Sequence, residues 1–412
     1  MTASLQLEYC GFECENPFFL AASPVARTGE MIGRAFEAGF GGAVTKSVSL
    51  DQDLPDHSLS PRFVGIKHGG DNRYPQNSTF GMGNIDFRID ISVEDTLASF
   101  AEVKQKYPHK MLIVSIKGAY QQAEWEKLAT LAQQTGADAI ELCLSCPDDC
   151  GSGSIGQNTA ATADVIGWVQ SRSNLPIIVK LTAHVASFEP MVSTIANSGA
   201  QAVAAVNTVR GIAGFDLDQK LALPNIEGKS TAMGLSGSII RPLAQYCVSQ
   251  ISQCAGPLQI AGVGGITCAQ DAVEYALLGA HTMQIATQVM FEGYDIVQDL
   301  KSGLTAFLNK HGYDNLEQIR GLGLSCLTPS TKQLSRAQQL RAAIDEELCI
   351  QCGRCYRACR DGAYQAISFC SEDRTVNVDR EKCVGCTLCS MVCPVKQAIN
   401  FTPAEKQMEV HI

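Results

Sequence analysis

The chain has 412 residues, 45% of them apolar, and a net charge of −10; its isoelectric point is near 5.3. That is enough apolar material for one large domain and a small one. The acidic balance argues against nucleic acid as a partner, since that needs a basic face, and no apolar run reaches the roughly 20 residues of a membrane helix.

The opening residues, "MTASLQLEYC", carry neither a basic nor an apolar leader segment, so a cytoplasmic protein is expected. Eighteen cysteines in such a chain do not form a disulfide framework at cytosolic redox poise. Eight follow a metal-type spacing, and most of the other ten read as small core residues.

From residue 18 to about residue 310, short β-rich runs alternate with helix-period segments. The runs are "FFLAASP" (18–24), "AVTKSVS" (43–49), "MLIVSI" (111–116), "AIELCLS" (139–145), "PIIVKLT" (176–182), "AVAAVNT" (202–208), "LQIAGVG" (258–264) and "TMQIATQV" (282–289). Amphipathic stretches such as "AEWEKLATLAQQTG" and "CAQDAVEYALLGA" lie between them. The second sets apolar residues three and four apart and ends in glycine, a helix stop. Eight such strands predict a (β/α)₈ TIM barrel of the α/β class, with an open doubly wound sheet as the alternative. Barrel chemistry sits at the C-terminal strand ends. Here those ends carry Ser23, Lys46, Ser145–Cys146, Lys180, Asn207–Thr208, Gly264–Gly265 and Thr287.

One strand end, "ELCLSCPDDCGSGSIGQN" (141–158), admits three readings. Cys143, Cys146 and Cys150 could ligate a metal. Gly151, Gly153 and Gly156 spell the dinucleotide fingerprint G-x-G-x-x-G, although the acidic residue expected about 20 positions on is missing. Alternatively, one cysteine is a proton donor on a loop over a substrate.

Beyond residue 318 the chain turns polar. The expected division is a barrel over 1–318, a connector over 319–339 and a small ferredoxin-like α+β domain over 340–412. In the last, Cys349-x₂-Cys352-x₂-Cys355-x₃-Cys359 precedes Cys383-x₂-Cys386-x₂-Cys389-x₃-Cys393-Pro394. Two such runs make the two-cluster bacterial ferredoxin pattern, in which the fourth cysteine of each run ligates the other cluster. Cys349, Cys352, Cys355 and Cys393 would then hold one 4Fe–4S cube, and Cys383, Cys386, Cys389 and Cys359 the other. Arg360 stands where the first run would carry proline. A pair of structural zinc sites is the alternative, but zinc motifs pair two cysteines with two more at longer separation. Two neighbouring clusters form an electron wire, which predicts a flavin in the barrel.

The motifs "NPFFLAASP", "TKSVSL", "SPRFVG", "LSCP", "IVKLT", "AVNTVRG", "GLSGSIIRP" and "GVGGI" resemble the dihydroorotate dehydrogenase family. With the cysteine-rich tail, nearly the whole chain resembles the pyrimidine-reducing subunits of bacterial NAD-dependent dihydropyrimidine dehydrogenases. The resemblance implies an FMN-binding barrel with Cys146 as the general acid on a mobile loop, hinged by the glycines at 151–156. It places Lys180 at the flavin N1/O2 edge and Lys46 near flavin or substrate. It implies a phosphate site at Gly264, Gly265, Ala286 and Thr287 with Ser236 and Gly237, and cofactor contacts from Ser23 and Asn207. Asn84, Gln121, Asn207 and Thr208 would read the substrate.

Several positions depart from the pyrimidine-binding pattern. Cys143 stands where an asparagine is expected, and Gln121 stands for another. Ala183–His184 follows Thr182, and Asp148 follows the loop proline. A thiol lacks an amide's two-way hydrogen bonding, so a ring polar group left unpaired would cost about 1–3 kcal/mol. Either the ligand differs from uracil and thymine, or Gln121 and His184 compensate.

The expected activity is reduction of the C5=C6 bond of uracil, thymine or a related heterocycle. Electrons would come from NAD(P)H through a partner subunit carrying FAD and the NAD(P) site, because the chain has no convincing nicotinamide domain. A hetero-oligomer, such as a heterotetramer, follows. The alternatives are a dihydroorotate dehydrogenase-type enzyme acting on a different unsaturated substrate, and an FMN/iron–sulfur electron-transfer subunit.

Overall fold

The computed structural model describes residues 2–50, 60–67, 79–85, 91–145, 154–337 and 339–403. The chain divides into two compact units, Met1–Leu327 and Thr328–Ile412.

In the first unit eight parallel strands close a barrel: β1 (Phe18–Leu20), β2 (Gly42–Val44), β3 (Met111–Ile116), β4 (Ala139–Cys143), β5 (Ile177–Leu181), β6 (Ala202–Ala205), β7 (Gln259–Val263) and β8 (Thr282–Ile285). They follow one another around the ring in chain order, and β8 pairs with β1. The closed ring excludes the open doubly wound sheet. All eight predicted runs form strands, mostly shorter than the apolar runs. "FFLAASP" is a strand only over its first three residues, and Ser23 then caps a short 3₁₀ turn, Pro24–Ala26.

The strands read as nearly continuous apolar runs because both faces are covered. Leu112, Val114 and Ile116 of β3 pack outward against the helices, whereas Met111 and Ile113 point into the barrel. The same period of two sends Ile140 and Leu142 outward from β4, and Ile177, Val179 and Leu181 outward from β5. Glu141 and Lys180 are therefore turned inward. Small residues at Ala202, Ala204 and Ala261 line the interior. The hairpin Leu7–Tyr9/Phe12–Cys14 inserts Tyr9 and Cys14 into that space, and Tyr9 meets Phe19 edge-on at 6.0 Å.

Helices α1 (Gly29–Ala38), α2 (Val93–Lys106), α3 (Gln122–Gln134), α4 (Thr159–Gln170), α5 (Glu189–Asn197), α6 (Arg241–Ser252), α7 (Ala269–Leu277), α8 (Thr287–Glu292) and α9 (Ile296–His311) form the outer layer. Their ends are written locally. Thr28 accepts from the Met31 amide, and Gly39 ends α1 at φ +116°, a cap contributing about 1 kcal/mol.

Two excursions break the βα alternation. Residues inserted after β2 and after β6 pair as a four-stranded antiparallel sheet in the order Val209–Gly211, Met233–Ser236, Thr79–Asn84, Phe63–Lys67. Residues 319–327 belong to the first unit: Ile319 is fully buried and the Gly321 amide donates to the Ala276 carbonyl at 2.9 Å.

The second unit contains two small antiparallel pairs, Leu340–Ile344 with Ile399–Pro403 and Ile367–Phe369 with Val376–Val378. Helices α10 (Arg354–Gly362) and α11 (Leu388–Val392) complete it. Among the described residues no helix is long and apolar enough to cross a membrane.

Candidate active site

A cavity of about 420 Å³ opens at the C-terminal ends of the barrel strands, within the range of small-molecule sites, about 300–1,000 Å³. One side is built of backbone. Gly264 (φ +126°) and Gly265 (φ +72°) follow β7, and Gly237 (φ +86°) precedes a 3₁₀ turn leading into α6. A Cβ on Gly265 would lie 2.5 Å from Arg241 Cβ and 3.0 Å from its backbone nitrogen. Only glycine lets the chain pass here.

This corner is braced from behind. The Arg241 guanidinium pairs with Asp271, whose Oδ2 accepts from the Thr267 amide and hydroxyl, each at 2.8 Å. The Tyr275 hydroxyl donates to the Gly264 carbonyl at 2.6 Å. Thr287 Oγ1 donates to Ser236 Oγ at 2.9 Å. Ser23, Ala286, Thr287, Ser236 and the three glycines all line the cavity.

Below lies a buried polar layer that the sequence reading did not identify as a group. Lys180 and Gln284 line the cavity. Lys180 Nζ is 3.6 Å from Glu141 Oε1 and donates to Gln284 Oε1 at 3.4 Å. Lys46, also buried, follows β2, and its amide donates to the Ala26 carbonyl.

Opposite the glycines stand Cys143, Ser145, Asn207, Thr208 and Asn84. Asn207 is held on two sides: Nδ2 donates to Ser145 Oγ at 2.5 Å and Oδ1 accepts from the Thr208 amide at 2.8 Å. Its Nδ2 also lies 3.6 Å from Cys143 Sγ. Asn84 Nδ2 donates to the Gly234 carbonyl at 2.9 Å, and among the described residues nothing donates to its amide oxygen. The excursion sheet supplies further wall residues absent from the sequence expectation, among them Phe63, Met82, Arg210 and Met233, and Lys117 follows β3. In "TFGMGN" the glycines alternate, and a Cβ on Gly83 would meet Met233 Sδ at 2.8 Å. That alternation was the one available signal of a close-packed strand.

Two expected compensating residues lie elsewhere. Gln121 is exposed at the start of α3 and is not part of the cavity wall. His184 Nε2 accepts from the Arg210 amide at 3.0 Å, so this ring fixes the excursion strand and is also outside the wall. Cys146, with Cys150, Gly151 and Gly153, lies outside the described residues.

In the second unit Cys349, Cys352, Cys355 and Cys393 line one small apolar cavity, and Cys359, Cys383, Cys386 and Cys389 line another. These are the two crossed sets. Each set of four thiols surrounds one small apolar space. The Ala366 amide donates to Cys359 Sγ at 3.2 Å and the Ala342 amide to Cys383 Sγ at 3.4 Å. Burial pushes the Cys389 thiol up to about 11, so thiolate there needs bound metal.

The donor set of the barrel suits FMN: bare amides for a phosphate, a buried ammonium for an electron-rich ring edge, and polar side chains opposite. Comparison with known proteins agrees. Residues 4–308 match the family described as dihydroorotate dehydrogenase, and residues 342–401 match a 4Fe-4S dicluster domain. The chain is 36% identical, over 100% of its length and 99% of the relative's, to the NAD-dependent dihydropyrimidine dehydrogenase subunit PreA of Escherichia coli K12. It is 30% identical to the chloroplastic dihydropyrimidine dehydrogenase (NADP(+)) of Arabidopsis thaliana, over 80% of this chain and 79% of that one. It is 32% identical to the catalytic subunit of dihydroorotate dehydrogenase B (NAD(+)) of Pyrococcus abyssi, over 78% of this chain and 99% of that one. The chain therefore belongs to the dihydroorotate dehydrogenase family, FMN-dependent oxidoreductases acting on CH–CH groups, and carries an iron–sulfur domain.

Proposed function

We propose that the chain is the ring-reducing subunit of a dihydropyrimidine dehydrogenase-type assembly, converting an activated C=C bond of a pyrimidine or related heterocycle to its dihydro form. The observation that carries this is one chain holding both the glycine-walled cavity over Lys180 and two four-cysteine cavities.

In this reading the barrel, residues 1–318, holds FMN. Gly264, Gly265, Ala286, Thr287, Ser236 and Gly237 surround its phosphate. Ser23, Lys46, Lys180 and Asn207 face its ring. FMN bound there supplies a hydride to one carbon of the double bond. Lys180 offers a fixed positive charge to the ring edge on which negative charge develops. Asn84, Asn207 and Thr208 orient the heterocycle, and the cavity walls exclude water. The Cys146 thiol gives its proton to the adjacent carbon, since a thiol near pKa 8.5 can release a proton close to neutral pH and be refilled.

The domain 340–412, reached through 319–339, of which 319–327 pack with the barrel unit, would hold two 4Fe–4S clusters in the crossed cysteine sets. Bound there, the clusters would supply single-electron transfer from a partner subunit that carries FAD and takes NAD(P)H, in a hetero-oligomer in the cytoplasm.

The test is anaerobic purification with the partner subunit, cofactor analysis and a screen of unsaturated heterocycles. About one FMN and about eight irons per chain are expected, with NAD(P)H-dependent ring reduction. Cys146→Ala should keep both cofactors and NAD(P)H-driven dye reduction but lose ring reduction. Equal loss of dye and ring reduction would count against Cys146 as proton donor. Absence of bound flavin would remove the whole reading.

A second reading concerns the ligand. With Gln121 and His184 outside the wall and a thiol at 143, a heterocycle presenting fewer polar groups than uracil at that edge fits the cavity better.

A further inference from the structure

Glu141 is the most completely buried carboxylate near the site, with no exposure to solvent. The alternation of β4 turns it into the barrel, one layer beneath the cavity. Its Oε2 accepts from Gln284 Nε2 at 3.5 Å. Its Oε1 has no hydrogen-bond partner, and Lys180 Nζ at 3.6 Å is the only cation paired with it among the described residues. Lys180 Nζ in turn donates to Gln284 Oε1 at 3.4 Å. Strands β4, β5 and β8 thus each contribute one corner of a closed triangle.

The distances are long for hydrogen bonds to charged groups, which run nearer 2.7–2.9 Å. The ammonium is therefore held chiefly by charge. It has three donors; two face Glu141 and Gln284, leaving one for the cavity. Burying a carboxylate without a cation is costly, so Glu141 and Lys180 each account for the other's presence in the barrel.

We propose that Glu141 is the positioning residue of Lys180: its carboxylate anchors the ammonium beneath the cavity and partly offsets its charge, limiting how strongly the site favours the reduced over the oxidised flavin. This rests on the reading that FMN lies over Lys180.

The test uses the reconstituted holoenzyme and the reduction potential of its bound flavin, followed spectroelectrochemically with the cluster contribution subtracted. Glu141→Gln keeps the shape and removes the charge. It should raise the ratio of reduced- to oxidised-flavin affinity about tenfold, a positive shift of about 30 mV for two electrons. Lys180→Met should shift the potential the other way. In the Lys180→Met background, Glu141→Gln should change the ratio less than about twofold, because the ammonium through which the carboxylate acts is gone.

An unchanged potential in Glu141→Gln, with Lys180→Met still shifting it, overturns the proposal and leaves the FMN reading intact. An equal shift in both backgrounds also overturns it, since Glu141 would then act on the flavin directly. No effect of Lys180→Met removes the FMN placement itself. Should Glu141→Gln fail to fold, Glu141→Asp withdraws the carboxylate by one methylene. A smaller shift in the same direction supports the role, and none refutes it.

Discussion

Replacing Cys143 with asparagine tests how the cavity reads a ring. Cys143 ends β4, its Sγ lies 3.6 Å from Asn207 Nδ2, and it forms part of the wall. Around it Asn207 is engaged at both ends, by Ser145 and the Thr208 backbone, and Asn84 has its Nδ2 engaged by the Gly234 carbonyl. A pyrimidine edge that needs both a donor and an acceptor at position 143 meets a thiol, which is weak as both. A buried group left unpaired costs about 1–3 kcal/mol, so Cys143→Asn should raise kcat/KM for uracil about 5- to 150-fold. Steady-state kinetics with the partner subunit, or with dithionite-reduced enzyme in single turnover, measure this. FMN content and thermal midpoint serve as controls. An unchanged or lower kcat/KM for uracil, with both controls preserved, would refute the reasoning. A uniform rise across all ring substrates would also refute it, since that is not a specificity effect.

Gly265→Ala forces a Cβ against the Arg241 backbone at φ +72°. Left-handed strain and overpacking together should cost about 2–5 kcal/mol, read by denaturant unfolding, and FMN retention should fall; a variant that keeps both stability and flavin would show that the cradle is misread. His281 Nδ1 accepts from the Ile260 amide at 3.1 Å, and burial pushes its pKa down to about 3. Below about pH 6.5 the unfolded chain takes a proton that the folded one refuses, so stability falls as the pH drops from there toward 3. Between pH 7 and 5.5 the wild type should lose about 1.3 kcal/mol more than His281→Gln, and equal pH slopes in urea unfolding would contradict this. Cys393→Ala should abolish the cluster signal of the Cys349, Cys352 and Cys355 set while sparing the other, and Cys359→Ala should do the reverse. Electron paramagnetic resonance of the reduced protein separates this crossing from ligation within each run.

The sequence by itself determined the elements whose cause is local. A short β-rich apolar run set between helix-period segments favours a strand buried on both faces, so eight strands could be read from residues such as 111–116 and 177–181. The cysteine spacing is equally local, because three thiolates of a short loop can wrap one cube. The open-sheet alternative fell only in three dimensions, where β8 pairs with β1; no residue records closure, which is a property of the whole ring. The cavity shows the same division. Lys180 and Asn207 were visible at strand ends. Glu141 is an interior partner only because β4 and β5 lie side by side with their inward faces in register. Phe63, Met82 and Arg210 reach the wall only because excursions about 150 residues apart pair into one sheet. Gln121 and His184 looked like ring readers by position in sequence. The start of α3 and the hydrogen bond to Arg210 hold them elsewhere. Period and spacing are short-range physics, which a sequence states directly. Which side chains share a cavity is set by long-range pairing, which only the folded chain decides.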